Sequence, residues 1–247
     1  MASTSEKTFG QRLTRAVALY DRVKGEAGYA PEENPLITTA ALGAFVATLK
    51  AANQEVGDLA QPYNQAQDDR VVLYHGLEGL KKRVAMARDV IGGYQNGKKL
   101  AAYDTLTTIA QQMRGYRKPA KDLLPDGAAT DAQEAAAGLS VAQMSFGSLL
   151  QKGREALGTL KGMGGQYKTS NALVTVAGLE AFLTQLETQD TTVNDTLLPL
   201  RKATKARHTL YEGDEGLQAR LAAAKSYVAG NHTKTSPLYK DVLKIKY

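Results

Sequence analysis

Imidazoles, thiols and paired carboxylates are the first places to look for chemistry, and the chain offers few of them. It has three histidines, His75, His208 and His232, and no cysteine. None of the histidines has another three or four residues away, so no single helix can present two imidazoles to one metal ion. A di-iron carboxylate site in a helical bundle needs Glu-x-x-His on facing helices, and that pattern is absent. Phosphate-cradling loops place glycines where a strand turns into a helix. Gly92-Gly93 and Gly162-Met163-Gly164-Gly165 lie in helical surroundings and read instead as helix ends. No cofactor motif, metal set or catalytic constellation emerges, and the reading is non-enzymatic.

Two polar pairs have a specific spacing. Arg70/Tyr74 and Arg207/Tyr211 are each four residues apart, where a helix lets a guanidinium touch a ring. Around them lie Lys81, Lys82 and Arg83 in the first half of the chain, and Arg201, Lys202, Lys205 and Arg220 in the second. Together these eleven residues form the candidate interaction surface. The bland alternative is structural: a stack or a hydrogen bond near the Gly76 and Gly213 breaks for Arg70/Tyr74 and Arg207/Tyr211, and arginine stems covering apolar surface for Arg83 and Arg220.

The charge is segregated. Segments 70–121 and 201–247 carry net charges of +8 and +6, whereas 1–69 and 122–200 carry −3 and −5. Acidic-then-basic order occurs twice, which favours oriented association between complementary faces. The basic windows could also neutralise phosphates, although they lack the interleaved aromatics of a single-strand platform and match no helix-turn-helix or RNA-binding signature.

The elements that position these residues are helices. Aromatics make up 6% of the chain and there is no Trp, while hydrophobic residues reach 43%. An abundance of Ala and Leu with few aromatics suits closely packed helices rather than sheets. Every hydrophobic run is interrupted before the roughly 20 apolar residues a bilayer requires, so no membrane insertion is expected. The stretch Met1–Phe9 lacks the apolar run of a secretory signal, and the expected location is cytoplasmic.

Shifting the sequence against itself by 137 positions aligns 9–93 with 146–230 without a gap. Phe9/Phe146, Asn34/Asn171, Phe45/Phe182, Pro62/Pro199, Arg70/Arg207, Tyr74/Tyr211, Gly79/Gly216 and Arg83/Arg220 are all identical. This pattern reads as an internal duplication. The expected architecture is an all-α helical bundle of two tandem pseudo-symmetric repeats with long kinked helices: a first repeat over 1–117, a linker over 118–139, partly helical through Asp131–Ala137, and a second repeat over 140–247. One extended bundle is expected, because long seams bury best against each other.

Within each repeat the first helix is expected near Thr8–Lys24 and Val141–Lys161, with Gly25 and Gly162 as left-handed C-terminal caps. The second is expected to open at Asn34 and Asn171, to run along the seam Leu42, Phe45, Leu49, Ala52, Val56 and Leu59, and to kink or restart at Pro62 and Pro199. Breaks follow at Gly76–Gly79 and Gly213–Gly216. Further helices carry Leu80, Val84, Ala87 and Ile91, then Leu100–Arg114, and in the second repeat a short terminal helix capped by Ser236.

Tyr211-Glu212-Gly213, Leu217, Ala224-Lys225-Ser226-Tyr227-Val228 and Ser236-Pro237-Leu238-Tyr239 resemble the C-terminal half of an uncharacterised family of small duplicated-repeat, all-helical proteins common in Bacteroidetes. Ala110-Gln111-Gln112-Met113-Arg114-Gly115-Tyr116-Arg117 is similar to the end of that family's first repeat. The resemblance implies a duplicated helical architecture and assigns no ligand or activity. The functional expectation is a structural or protein-interaction module, partnered by itself as a homo-oligomer or by another protein; the alternative is a sequence-nonspecific nucleic-acid-binding protein.

Overall fold

The structure is a computed structural model that describes residues 4–114 and 145–245. The expected linker at 118–139, with its helical stretch Asp131–Ala137, lies outside the described residues. Among the described residues every regular element is helical. In chain order they are α1 (Thr4–Val23), a 3₁₀ turn at Pro35–Ile37, α2 (Thr39–His75), α3 (Leu80–Gly92), a 3₁₀ turn at Gly97–Lys99, and α4 (Ala101–Arg114). After the undescribed stretch come α5 (Phe146–Met163), 3₁₀ turns at Gly164–Gln166 and Ala172–Val174, α6 (Val176–Glu212), α7 (Leu217–Asn231) and α8 (Pro237–Lys244). The bounds of α2 and α6, the first residues of α3 and α7, and the 3₁₀ turns at 35–37 and 172–174 all stand 137 positions apart.

Several local expectations are corrected. Asn34 and Asn171 cap the short 3₁₀ turns, accepting from Leu36 N at 3.1 Å and Leu173 N at 3.0 Å. The long helices begin four or five residues later, where Thr38 and Thr175 accept from Ala41 N at 3.2 Å and Gly178 N at 2.9 Å. Two side-chain caps in series therefore turn the chain twice before the seam starts. Gly25 is not left-handed, and Gly162 lies inside α5; among the described residues the glycine with positive φ is Gly164, at 54°.

Pro62 and Pro199 do not restart their helices. α2 and α6 run continuously through them, only slightly bent. Both prolines are exposed, as are Asp58 and Asp195 one turn before them. The carbonyl that each proline leaves without a donor therefore faces water, which keeps the helix intact at that point.

The chain divides into two compact units, residues 1–64 with 195–247, and residues 65–194. Each unit combines helices from before residue 115 with helices from after residue 144. In the first unit, Leu19, Val23 and Leu42 from the early chain pack with Leu221, Val228 and Val242 from its end. Beside them Phe45 and Leu49 meet Tyr211 and Leu217. In the second unit, Leu80, Val84, Ile91 and Met113 pack with Leu149, Leu160, Leu179 and Leu186. These residues recur at helical spacing, so each helix turns one apolar stripe inward. Ala52 and Leu59 of the expected seam are half-buried.

The turns after α2 and α6 explain their glycines. A Cβ on Gly76 would stand 2.5 Å from Val72 O, and one on Gly213 would stand 2.7 Å from Thr209 O. In each turn the second glycine, Gly79 or Gly216, is equally confined by backbone oxygens. Only glycine lets the helix close this tightly before the next one starts.

Candidate functional site

The two Arg/Tyr pairs build matching interior clusters. In the second unit the Arg70 guanidinium lies 4.1 Å from the centre of the Phe146 ring, and Tyr74 meets the same ring at 4.9 Å. The Tyr74 hydroxyl donates to Asp190 Oδ2 at 2.7 Å, and Arg70 Nη1 stands 3.9 Å from Asp190 Oδ1. That separation is an ion pair without a hydrogen bond. Burial, reinforced by the Asp190 hydrogen bond, pushes the Tyr74 phenol well above its usual range, so it remains a neutral donor.

The first unit repeats the arrangement with one substitution. Arg207 lies 4.3 Å from the Phe9 ring centre and Tyr211 meets Phe9 at 4.8 Å. Here Asn53, 137 positions before Asp190, donates from Nδ2 to the Tyr211 hydroxyl at 2.9 Å. That hydroxyl donates to Phe9 O at 3.3 Å. Tyr74 and Tyr211 are fully buried, and phenylalanine rings fill the space beside both arginines.

Arg83 and Arg220 form a second matched pair. Arg83 lies 3.8 Å from the Phe182 ring centre and donates to Glu78 O at 2.8 Å and Leu173 O at 2.9 Å. Arg220 lies 4.2 Å from Phe45, donates to Glu215 O at 2.9 Å and reaches Leu36 O. Arg83 thus ties the turn at Gly76–Gly79 to the 3₁₀ turn at Ala172–Val174, and Arg220 ties the turn at Gly213–Gly216 to the one at Pro35–Ile37. Burial pushes both guanidinium pKa values down. Charge-assisted bonds to carbonyls and a ring face offset part of that desolvation.

The remaining members of the candidate surface separate from these. Lys82, Arg201, Lys202 and Lys205 are exposed, and Lys81 is half-buried with its ammonium pKa lowered by burial. Arg201 and Lys205 share one face of α6 with Leu197, Leu200, Thr204 and His208, around a shallow depression of about 530 Å³. His208 is 2.9 Å from Glu212, the carboxylate that also receives Arg12 at 2.6 Å. The eleven residues therefore comprise interior arginines and tyrosines and an exposed basic strip. The partners Phe9, Phe146, Phe45, Phe182, Asn53 and Asp190 were not singled out, although the retained phenylalanines 137 apart were the available signal.

No protein-family model, curated protein or solved structure matches the chain. Function must be read from its own geometry. Among the described residues no three His, Asp or Glu side chains gather as a metal ion would need, and no helix is long and apolar enough to cross a membrane.

A second concave feature lies within the first unit. A cleft of about 610 Å³ opens between residues 30–37 and the later part of α7. Its lining combines Glu32, Glu33, Ser226, Tyr227 and Asn231 with the apolar Pro31, Ile37 and Ala223. The loop is anchored by Tyr29, whose hydroxyl donates to Ile37 O at 2.8 Å and whose pKa burial pushes up to about 12. Tyr227 packs edge-on against Tyr29 at 5.3 Å and accepts from Ala30 N at 3.3 Å.

Proposed function

We propose that the chain is an internally duplicated helical interaction module, non-enzymatic, that self-associates through the exposed faces of α2 and α6. The observation that carries the reading is a contrast between corresponding positions. The interior arginines, tyrosines and phenylalanines are retained 137 positions apart, with Asn53 against Asp190 the one change among their partners, whereas the exposed stretches of α2 and α6 have diverged in charge. α6 presents Arg201, Lys202 and Lys205 with the exposed Leu198; α2 presents Asp68 and Asp69 with the exposed Val71 and Val72. Exposed apolar side chains rimmed by charge are what a docking surface requires. Opposite charge on the two stretches suits a second copy of the chain and sets its orientation. The resemblance to the duplicated-repeat family from Bacteroidetes belongs to the same proposal and supplies architecture alone.

The test is light scattering on a sizing column, at low salt and at ~1 M salt, where the screening length falls to ~3 Å. The expected result is assembly at low salt that dissociates at high salt. Arg201→Glu with Lys205→Glu should abolish it, and adding Asp68→Lys with Asp69→Lys should restore it. A monomer at high concentration in low salt overturns the reading. A species that shifts only when nucleic acid is added, and is released by salt, transfers the basic strip to phosphate binding.

A further inference from the structure

The corresponding loops of the two units serve as controls for each other. Tyr29 and Tyr167 both donate to a carbonyl of the following 3₁₀ turn, Ile37 O at 2.8 Å and Val174 O at 2.7 Å. Asn34 and Asn171 both cap that turn. Between these matched anchors the first loop reads Ala30-Pro31-Glu32-Glu33 and the second Lys168-Thr169-Ser170. The first is one residue longer and carries two carboxylates; the second carries a lysine. Their tyrosine contacts differ too. Tyr94 closes on its loop by donating to Lys168 O at 2.7 Å and accepting from Lys168 N at 2.8 Å. Tyr227 only accepts from Ala30 N, and the cleft lies beside it.

We propose that this cleft binds a small organic ammonium ion, with its charge against Glu32 and Glu33 and its carbon chain over Pro31, Ile37 and Ala223. The volume, about 610 Å³, falls in the range of small-molecule pockets. Both glutamates are exposed, and neither side chain makes an ion pair or hydrogen bond among the described residues. Their carboxylates are available to charge-assisted N–H donors. Asn231 donates from Nδ2 to Tyr227 O at 3.0 Å, leaving its Oδ1 as a further acceptor. The Tyr227 ring adds an aromatic face, which attracts cations. An anion would meet two like charges, and a divalent metal would find too few ligating side chains. An alkylammonium ion satisfies both the carboxylates and the apolar floor.

Calorimetric titration of the whole protein with butane-1,4-diammonium, beside the uncharged butane-1,4-diol and magnesium chloride at equal ionic strength, tests this. The expected result is saturable binding of one diammonium per chain and none of the diol. Glu32→Gln with Glu33→Gln should weaken it at least about tenfold, the loss of roughly one charge-assisted contact. Ala223→Leu, which obstructs the floor without altering charge, should weaken it as well, with unchanged helicity by circular dichroism confirming that both variants fold. Three outcomes overturn the proposal: no saturable binding, binding that survives either variant, or magnesium binding as strongly as the diammonium. The outcome is independent of self-association, since these residues lie outside the α2 and α6 strips.

Discussion

Tyr29 and Tyr167 show how much depends on single hydroxyls. Each is buried, each donates to a backbone carbonyl, and burial pushes each pKa up to about 12. In the unfolded chain the same phenols ionise near pH 10. Because the folded pKa is raised, their contribution to stability is complete below pH 10 and is lost as pH climbs from about 10 toward about 12. The denaturant midpoint should hold below that window and fall across it. Tyr29→Phe with Tyr167→Phe should lower stability at neutral pH by about 1–3 kcal/mol, since two buried carbonyls lose their donors, and should flatten the alkaline decline. An unchanged decline in the variant would assign the alkaline sensitivity to other groups.

At the scale of elements, Pro62 and Pro199 mark a tolerated fault. Each removes one helical hydrogen bond on a solvent-facing side of α2 or α6, and neither contributes to a core cluster. Proline in a helix interior is about 3 kcal/mol less favourable than alanine. Pro62→Ala and Pro199→Ala should therefore each raise stability, by up to that amount, measured by urea denaturation. A loss of stability in either variant would show that the slight bend is needed for packing. These prolines also show what was legible in the sequence. Their type and position predicted a break, but whether the freed carbonyl meets water or protein depends on which face the helix buries, and that is a tertiary property. The same limit applies to Asn34: a capping residue announces a helical turn, not whether that turn is 3₁₀ or α. The Arg/Tyr spacing led to an expected guanidinium-to-tyrosine stack, whereas the ring against each guanidinium is Phe146 or Phe9, which is distant in sequence and cannot be found by local spacing. Hydrophobic periodicity, by contrast, located α1, α3, α4 and α7 well, because it is a property of one helix at a time.

At the scale of the molecule, the make-up of the two compact units leads to a physical prediction. Residues 1–64 complete their core with Leu221, Val228 and Val242, and residues 65–114 complete theirs with Leu149, Leu179 and Leu186. Each core thus draws on residues from both the 1–117 and the 140–247 parts of the chain. A fragment ending at residue 117 would keep α3 packed on α4 but leave the other faces of that pair, and the stripes of α1 and α2, without the helices that cover them, and helices are marginal without tertiary packing. Fragments 1–117 and 140–247 should therefore each show weak helicity and no cooperative unfolding. Mixed in equal amounts, they should regain helicity and a sigmoidal melt whose midpoint rises with concentration, as coupled folding and association requires. The measurement is circular dichroism of each fragment and of the mixture over a range of concentrations. Cooperative folding of either fragment alone would mean that its own helices can close a core, so that the reciprocal exchange of halves is an arrangement the repeats can do without.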